Sequence, residues 1–144
     1  MSASTSCRIL LPKCSCVCLM LALLGCSDGR PTRVPVSGRV MIDGKPVIKG
    51  SVRFVPEGAR PSAGTLDSQG RFKLTCYDGE DGAVLGKHRV QVSASEIIGA
   101  EKVVWHAPSK YADFRSSGLS VEVTEPTDSV LIKLTWAGQK RPAP

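Results

Sequence analysis

Aromatic residues make up only 5% of this 144-residue chain, and histidine occurs just twice. So few aromatic rings argue against a surface on which nucleic-acid bases stack. The sequence also lacks the G-x-S-x-G elbow of serine hydrolases and the glycine-rich phosphate loops of nucleotide-binding proteins. No apolar run reaches the roughly 20 residues that a membrane-spanning helix needs. These absences remove several enzyme classes and leave no evident catalytic site.

Glycine and proline are plentiful instead, with 14 and 10 residues, and the chain length suits one domain rather than two. This composition favours a turn-rich β domain over a helical bundle. The net charge of +6 falls to +4, from 17 cations and 13 acids, if a leader holding Arg8 and Lys13 is removed. The remaining cations are scattered over polar strand positions, so we interpret them as a solvated surface and expect no nucleic-acid partner.

The N-terminal segment carries two positive charges, Arg8 and Lys13, and then an apolar stretch from Cys14 to Leu24. A positive start followed by about 7–15 apolar residues is typical of a secretory signal. The stretch ends in L-L-G-C at residues 23–26, which resembles the lipobox of bacterial lipoproteins. That resemblance implies cleavage before Cys26 and attachment of a diacylglyceryl group to its thiol. Two acyl chains would hold the protein firmly in a membrane.

The N-terminal pattern therefore predicts a lipoprotein signal peptide at residues 1–25, followed by lipidated Cys26 and a tether over residues 26–33. Leu24 departs mildly from the family, which more often has a small residue there. An ordinary signal peptide with a coincidental cysteine is the alternative. The expected location is the bacterial cell envelope, secreted and anchored, with the membrane leaflet left open.

Three of the six cysteines, Cys14, Cys16 and Cys18, lie close together inside the apolar stretch. Zinc sites usually use C-x₂₋₄-C spacing with a second ligand pair further along the chain, and no such pair follows. We expect these three to leave with the signal peptide, and we predict no metal and no cofactor. If Cys26 is lipidated, Cys76 has no disulfide partner, and we expect it to pack in or near the core.

From Val34 onward, apolar residues recur with a period of two, which is typical of half-buried antiparallel strands. Turn signals such as Asp43-Gly44 and Ser68-Gln69-Gly70 separate the runs. Six or seven such strands in about 100 residues predict a two-layer β-sandwich. The sandwich is expected over residues 34–136, with a disordered tail at 137–144. The alternating runs fall near residues 34–42, 51–54, 71–74, 87–94, 119–124 and 130–136.

The segment 96–118 breaks this pattern, since it mixes apolar residues with glycine, proline and charges. A connection this long is uncommon without a function or a structure of its own. We therefore name Trp105, His106 and Tyr111 as candidate binding residues. Their rings could stack on sugars or anchor a protein partner. The structural alternative, which we favour, is that Trp105 and Tyr111 pin the long loop to the sandwich.

Several motifs occur in an order that resembles the carboxypeptidase-regulatory-like domains of the prealbumin (transthyretin-like) fold. They are V-S-G-R-V at residues 36–40, D-G-K-P-V at 43–47, V-R-F-V-P at 52–56, D-S-Q-G-R-F at 67–72 and L-G-K-H-R-V-Q-V at 85–92. Small bacterial surface lipoproteins with this domain often carry P-x-K-Y and S-S-G-L motifs, here at residues 108–111 and 116–119. The resemblance implies a single antiparallel β-sandwich of about seven strands. It also implies a non-catalytic module, because the domain accompanies the catalytic domain in carboxypeptidases.

Other groupings receive structural interpretations. Tyr77, His88, His106 and Tyr111 do not follow the ligand order of the iron-binding intradiol dioxygenases, which share the prealbumin-like fold. His88 is expected to face inward and fill an aromatic slot. The three carboxylates within residues 78–82 lack calcium-loop spacing, so we expect an acidic surface turn.

These observations favour a non-enzymatic accessory, structural or adhesion module of the cell envelope. The expected partners are the membrane, through a lipid anchor on Cys26, and an envelope protein or glycan. One alternative is a carbohydrate-binding module that uses the region of Trp105 and Tyr111. A small enzyme of the prealbumin-like fold is the third interpretation, and it is the least supported.

Overall fold

The computed structural model describes residues 29–99 and 102–139. The predicted signal peptide and Cys26 therefore lie outside the described residues, as do residues 140–144 of the predicted tail. The chain divides into two units, Met1–Arg30 and Pro31–Pro144, and the elements below all belong to the second unit. No helix within the described ranges is long and apolar enough to cross a membrane.

The alternating segments form strands, which confirms the all-β prediction, and helix is limited to one 3-10 turn at Ser109–Ala112 in the described part of the chain. The strands are β1 (Arg33–Val34), β2 (Val36–Ile42), β3 (Lys45–Pro46), β4 (Ser51–Pro56), β5 (Ser62–Thr65), β6 (Arg71–Lys73), β7 (Ala83–Val84), β8 (Gly86–Ser93), β9 (Ser95–Ile98), β10 (Lys102–Trp105), β11 (Leu119–Val123) and β12 (Thr127–Leu134).

Two four-stranded sheets carry most of these strands. One sheet has the order β11-β8-β4-β5, and the other has the order β12-β2-β3, with β6 also paired to β2. Two further sheets have two strands each, β1-β7 and β9-β10. The short strands β1, β3, β5 and β7 have two to four residues each, which is too short for a periodicity of two to be recognised in the sequence.

The inward positions of both large sheets belong to one hydrophobic core. Phe54, Leu74, Val40 and Val90 are completely buried in it. The Phe54 ring lies 6.1 Å from the Phe72 ring, centroid to centroid, in a tilted arrangement, which favours aromatic contact beyond simple burial. A shared core between two sheets supports a sandwich-like arrangement.

One strand pair differs from the expected antiparallel sandwich. Strand β12 runs parallel to β2, with Thr127 opposite Val36 and Leu134 opposite Ile42. The preceding strand β11 belongs to the other sheet, so the short connection after it crosses between sheets and does not form a hairpin. Gly38 permits this pairing to be close, because a Cβ there would lie 2.1 Å from the Val130 carbonyl oxygen.

The turn signal Asp43-Gly44 is confirmed as a two-residue hairpin between β2 and β3. Both residues have positive φ, 46° for Asp43 and 80° for Gly44. Positive φ at both central positions is characteristic of the type I′ turn, for which Asp-Gly is a preferred sequence. The D-G motif therefore sets the register of Met41 opposite Pro46.

The ends of the predicted domain also take definite positions. Strand β1 pairs with β7 through Arg33 opposite Val84, so the β domain begins one residue before the predicted boundary. At the other end, the amide of Gln139 donates to the Trp136 carbonyl at 2.7 Å and closes a turn. Residues 137–139, predicted as tail, thus include a hydrogen-bonded turn.

Candidate functional site

The segment 96–118 has its own structure, as its length suggested. It begins within a hairpin in which β9 and β10 pair antiparallel, with Val103 opposite Ile97 and Trp105 opposite Ser95. The amide of His106 donates to the Ala94 carbonyl at 2.7 Å, which closes the base of the hairpin beside the end of β8. The 3-10 turn Ser109–Ala112 follows, and then a turn in which the amide of Ser117 donates to the Asp113 carbonyl at 2.9 Å.

One face of the hairpin is mostly apolar. Because Val103 pairs with Ile97 and Trp105 pairs with Ser95 two positions away, the side chains of Trp105, Val103 and Ile97 share a face with that of Ser95. Ile97 is 75% exposed and Val103 is 51% exposed, while Trp105 is half-buried. Trp105 is therefore placed at the base of an exposed apolar face, where a partner can reach part of its ring.

The opposite side of the hairpin base holds a small charge network. Glu96 accepts a hydrogen bond from the Lys49 ammonium, and its second carboxylate oxygen lies 3.3 Å from Nε2 of His106. The Lys49 hydrogen bond, and secondarily the His106 contact, hold the pKa of Glu96 below its usual value. His106 is thus a partner of Glu96 in this structure, half-buried and on a different side from the apolar face.

Tyr111 requires a correction to its proposed role as a binding residue. Its side chain is only 5% exposed, so its ring is not available to stack on a sugar. The Tyr111 hydroxyl accepts a hydrogen bond from the Thr135 amide at 3.2 Å and lies 3.4 Å from the Thr135 carbonyl. Tyr111 therefore pins the 3-10 turn to the end of β12, as the structural alternative predicted.

His88 is confirmed as an inward-facing residue in an aromatic slot. It is completely buried, and its ring lies 5.7 Å from the Phe54 ring, centroid to centroid. Nε2 lies 2.8 Å from the Val84 carbonyl, so Nε2 carries the proton and donates to that oxygen. Burial lowers the pKa of His88, and the Val84 contact only partly offsets this effect. His88 is therefore neutral at pH 7.

The two histidines are separated along β8. His88 lies near its start, and His106 is bonded to Ala94 just beyond its end. At about 3.3 Å per residue, six residues of strand place them roughly 20 Å apart. One metal ion cannot bind both side chains at that separation. Across residues 29–99 and 102–139, no three histidine, cysteine, aspartate or glutamate side chains form a group suited to a metal ion.

Cys76 packs where the sequence predicted. Its side chain is 3% exposed, and its sulfur lies 3.5 Å from the Arg60 carbonyl oxygen. A buried thiol in this setting behaves as a small apolar side chain with a weak S–H donor. Cys76 is accordingly part of the packing of the turn region that follows β6.

The acidic turn at residues 78–82 is held together by Asp81. Its carboxylate accepts hydrogen bonds from the amides of Cys76 and Tyr77, at 2.6 and 3.1 Å, and pairs with Arg33 at 2.9 Å. Burial opposes ionisation, but the amide hydrogen bonds and then Arg33 outweigh it and hold the pKa of Asp81 below its usual value. Asp81 thus fixes the start of the domain to the turn after β6.

Sequence reasoning missed one cluster, which lies on the outer face of the β11-β8-β4-β5 sheet. The Arg89 guanidinium carbon lies 4.8 Å from the Phe114 ring centroid, and that of Arg115 lies 5.3 Å from it. An open cleft of about 450 Å³ beside them is also lined by Lys87 and Ser120. Only strand pairing brings residues 87–89 next to residues 114–120, so no local motif could have identified the cluster.

Comparisons with known proteins add no family assignment to this geometry. No protein-family model matches the chain significantly, and neither the curated proteins nor the solved structures give a significant match.

Proposed function

We propose that this chain is a bacterial cell-envelope lipoprotein anchored through Cys26. Its β domain, of the carboxypeptidase-regulatory-like and prealbumin-like type, serves as a non-enzymatic accessory or adhesion module at the membrane surface. The proposal is carried by the L-L-G-C motif at residues 23–26, which follows a positive start and an apolar run. The domain motifs that resemble the prealbumin-like family fall on strands and turns of an all-β domain, which supports the second part.

The short link between Cys26 and the β domain supports an anchoring role. Strand β1 begins at Arg33, which Asp81 holds through an ion pair. Seven residues of extended chain reach at most about 25 Å. A domain attached in this way would stand close to the membrane surface and could not extend far across the envelope.

Both histidines and the cysteine of the described residues make structural contacts, although Nδ1 of His88 is buried without a partner. These contacts support a non-enzymatic role. The neutral ring of His88 is held in the core by the Val84 carbonyl. The Cys76 thiol is buried beside the Arg60 carbonyl, and His106 contacts Glu96. A small enzyme of this fold would need some of these groups to face a substrate.

The position of the hairpin supports display of a contact surface away from the membrane. Strand β8 starts at Gly86, next to the β1-β7 pair, and ends at Ser93, next to the hairpin. The attachment end and the hairpin therefore lie at opposite ends of β8, about 25 Å apart along the strand. The exposed face with Ile97 and Val103 thus belongs to the end of the domain opposite the proposed anchor, where a protein partner could bind.

The carbohydrate-binding alternative loses one of its two aromatic rings. Tyr111 is buried and hydrogen-bonded to Thr135, so only Trp105 remains for stacking, and it is half-buried. The neighbours of Trp105 on the hairpin face are Ile97, Val103 and Ser95, and of these three only Ser95 can form a hydrogen bond with a sugar hydroxyl through its side chain. This surface suits an apolar protein contact better than a glycan.

The anchor is tested by metabolic labelling with an alkyne fatty acid in a bacterial host that expresses the full chain. We expect the label on the chain without substitutions and complete loss of the label in Cys26→Ser. The matched control is Cys76→Ser, which should keep the label because Cys76 is buried inside the domain. Mass spectrometry of the labelled product should place the new N-terminus at Cys26.

Two results would reject the proposal. Label that persists in Cys26→Ser would mean that another residue is acylated. An unlabelled secreted product with a different N-terminus would mean that the first 25 residues act as an ordinary secretory signal.

A further inference from the structure

The outer face of the β11-β8-β4-β5 sheet carries a group of exposed cations. On β8 the side chains of Lys87 and Arg89 point outward, since His88 and Val90, which alternate with them, are buried. Arg89 lies opposite Ser120 of β11 and opposite Val55 of β4, while Lys87 lies opposite the exposed Glu122 of β11. None of Lys87, Arg89 and Arg115 has a carboxylate within 4.0 Å among the described residues, unlike Arg71 and Lys73, which do.

Phe114 orients two of these cations. Both guanidinium groups, of Arg89 and of Arg115, lie about 5 Å from its ring centroid, a distance at which the ring quadrupole attracts a cation. A cation–π contact does not use the N–H donors of a guanidinium as hydrogen-bond donors to another oxygen, and these donors match the oxygens of a phosphate. The ring therefore prearranges two phosphate-binding groups, so less side-chain entropy is lost when an anion binds.

The cleft beside this group is open and adjoins the attachment end of the domain. It has a volume of about 450 Å³, and Lys87 and Glu57 line it. The same two residues line a second depression, which is bordered by Pro31 and Thr32. Those residues directly precede β1, so the cationic face begins where the link from Cys26 joins the domain.

We propose that this cationic face, centred on Arg89, Arg115 and Lys87, binds the phosphate headgroups of anionic phospholipids in the membrane that holds the anchor. The inference rests on the proposed lipidation of Cys26, because the five residue-to-residue steps from Cys26 to Pro31 span at most about 18 Å. The three cations outnumber the carboxylates of Glu57 and Glu122 beside them, so the face is net positive and suits an anionic surface. The closeness to Cys26 selects the membrane over a free polymer. A basic surface and acyl chains are the two signals that together make membrane attachment stable.

The test uses the full chain carrying Cys26→Ser, so that no acyl group contributes and failure of lipidation does not affect the result. Sedimentation with vesicles of phosphatidylcholine, with and without phosphatidylglycerol, measures binding. We expect the pair Arg89→Ala and Arg115→Ala to weaken binding to the anionic vesicles about 10- to 30-fold. Binding to pure phosphatidylcholine should not change, and added salt should reduce the difference.

The matched control replaces two cations of the other sheet, Arg39→Ala and Lys45→Ala, which are also exposed. It removes the same net charge and should change binding about twofold at most. Circular dichroism of each variant shows that its β structure is retained.

Equal loss in both double variants would overturn the proposal, because net charge alone would then explain binding. Unchanged binding in the Arg89 and Arg115 variant would overturn it as well. The third arm is a soluble anionic polysaccharide. If it binds with the same arginine dependence while the vesicles do not, the face recognises a glycan and the lipid proposal is wrong.

Discussion

Strand β8 and the hairpin that follows it both contain branched apolar residues, but these residues are buried in β8 and exposed in the hairpin. Val90 and Val92 of β8 are 0% and 1% exposed, whereas Ile97 and Val103 of the hairpin are 75% and 51% exposed. Strand β8 has a partner on each side, β4 and β11, and a second sheet contributes to its core. Strands β9 and β10 pair only with each other among the described strands.

This contrast shows that burial is decided by neighbours and not by the local pattern. An apolar side chain on a strand is removed from water only when another layer covers its face. The hairpin has two strands and, within the described part of the chain, no covering layer over the face with Ile97 and Val103, so that face stays available for contact. Stability should therefore be concentrated in the sandwich, and apolar contact with a protein partner should be concentrated in the segment after Ser93.

The largest expected effect is in the sandwich, where Phe54→Ala tests the contrast directly. Phe54 is completely buried and touches the rings of Phe72 and His88. Its removal leaves a cavity, so we expect unfolding free energy to fall by about 3–5 kcal/mol. Urea denaturation measures this change. The matched control is Phe114→Ala in the later segment, which removes surface cation–π contacts and should cost roughly 1 kcal/mol or less. A similar fall in unfolding free energy in the two variants would contradict the idea that stability is concentrated in the sandwich.

The second effect concerns the link between the two regions. Tyr111→Phe keeps the buried ring but removes the hydroxyl that bonds to the Thr135 backbone. The Thr135 amide would lose its acceptor, so we expect a loss of about 1–3 kcal/mol in urea denaturation. Hydrogen exchange should show earlier opening of the segment after Ser93.

The control for Tyr111→Phe is Thr135→Ala. It leaves the backbone groups that contact Tyr111 in place and removes the γ-methyl group and the Oγ1 that accepts from the Ala137 amide. A smaller effect is expected there. If Thr135→Ala costs as much as Tyr111→Phe, the hydroxyl is not what pins the segment.

Much of the sandwich could be predicted because its causes are local. Alternation identified β2, β4, β8, β11 and β12, and the Asp43-Gly44 turn has the positive φ values that its sequence favours. The parallel pairing of β12 with β2 could not be predicted. It depends on which sheet contains the preceding strand, and that is a property of the whole topology.

The candidate site divides in the same way. A single buried polar residue such as His88 could be assigned inward from its place in an alternating run. The roles of Tyr111 and Arg89 depend on contacts between distant parts of the chain, with Thr135 in one case and Phe114 in the other. Distances of this kind leave no signal in the local sequence.

The third prediction concerns pH and separates the two histidines. The folded-state pKa of His88 is lowered by burial, so the unfolded chain takes up a proton more readily. The neutral ring is favoured in the folded state at pH values above the unfolded pKa of about 6.5. As pH falls below that value, His88 should destabilise the fold, by at most about 1.4 kcal/mol for each pH unit.

His88→Phe should remove this pH dependence, because phenylalanine fills the aromatic slot beside Phe54 without a titrating group. Urea denaturation at pH 7.5 and pH 5.5 measures the difference in unfolding free energy for each chain. The control His106→Gln keeps His88 and should retain the full difference, since His106 lies at the hairpin base, half-buried beside Glu96. If His106→Gln abolishes the difference in unfolding free energy between the two pH values and His88→Phe does not, the acid sensitivity comes from the hairpin. Burial of His88 in the sandwich would then not explain the response to pH.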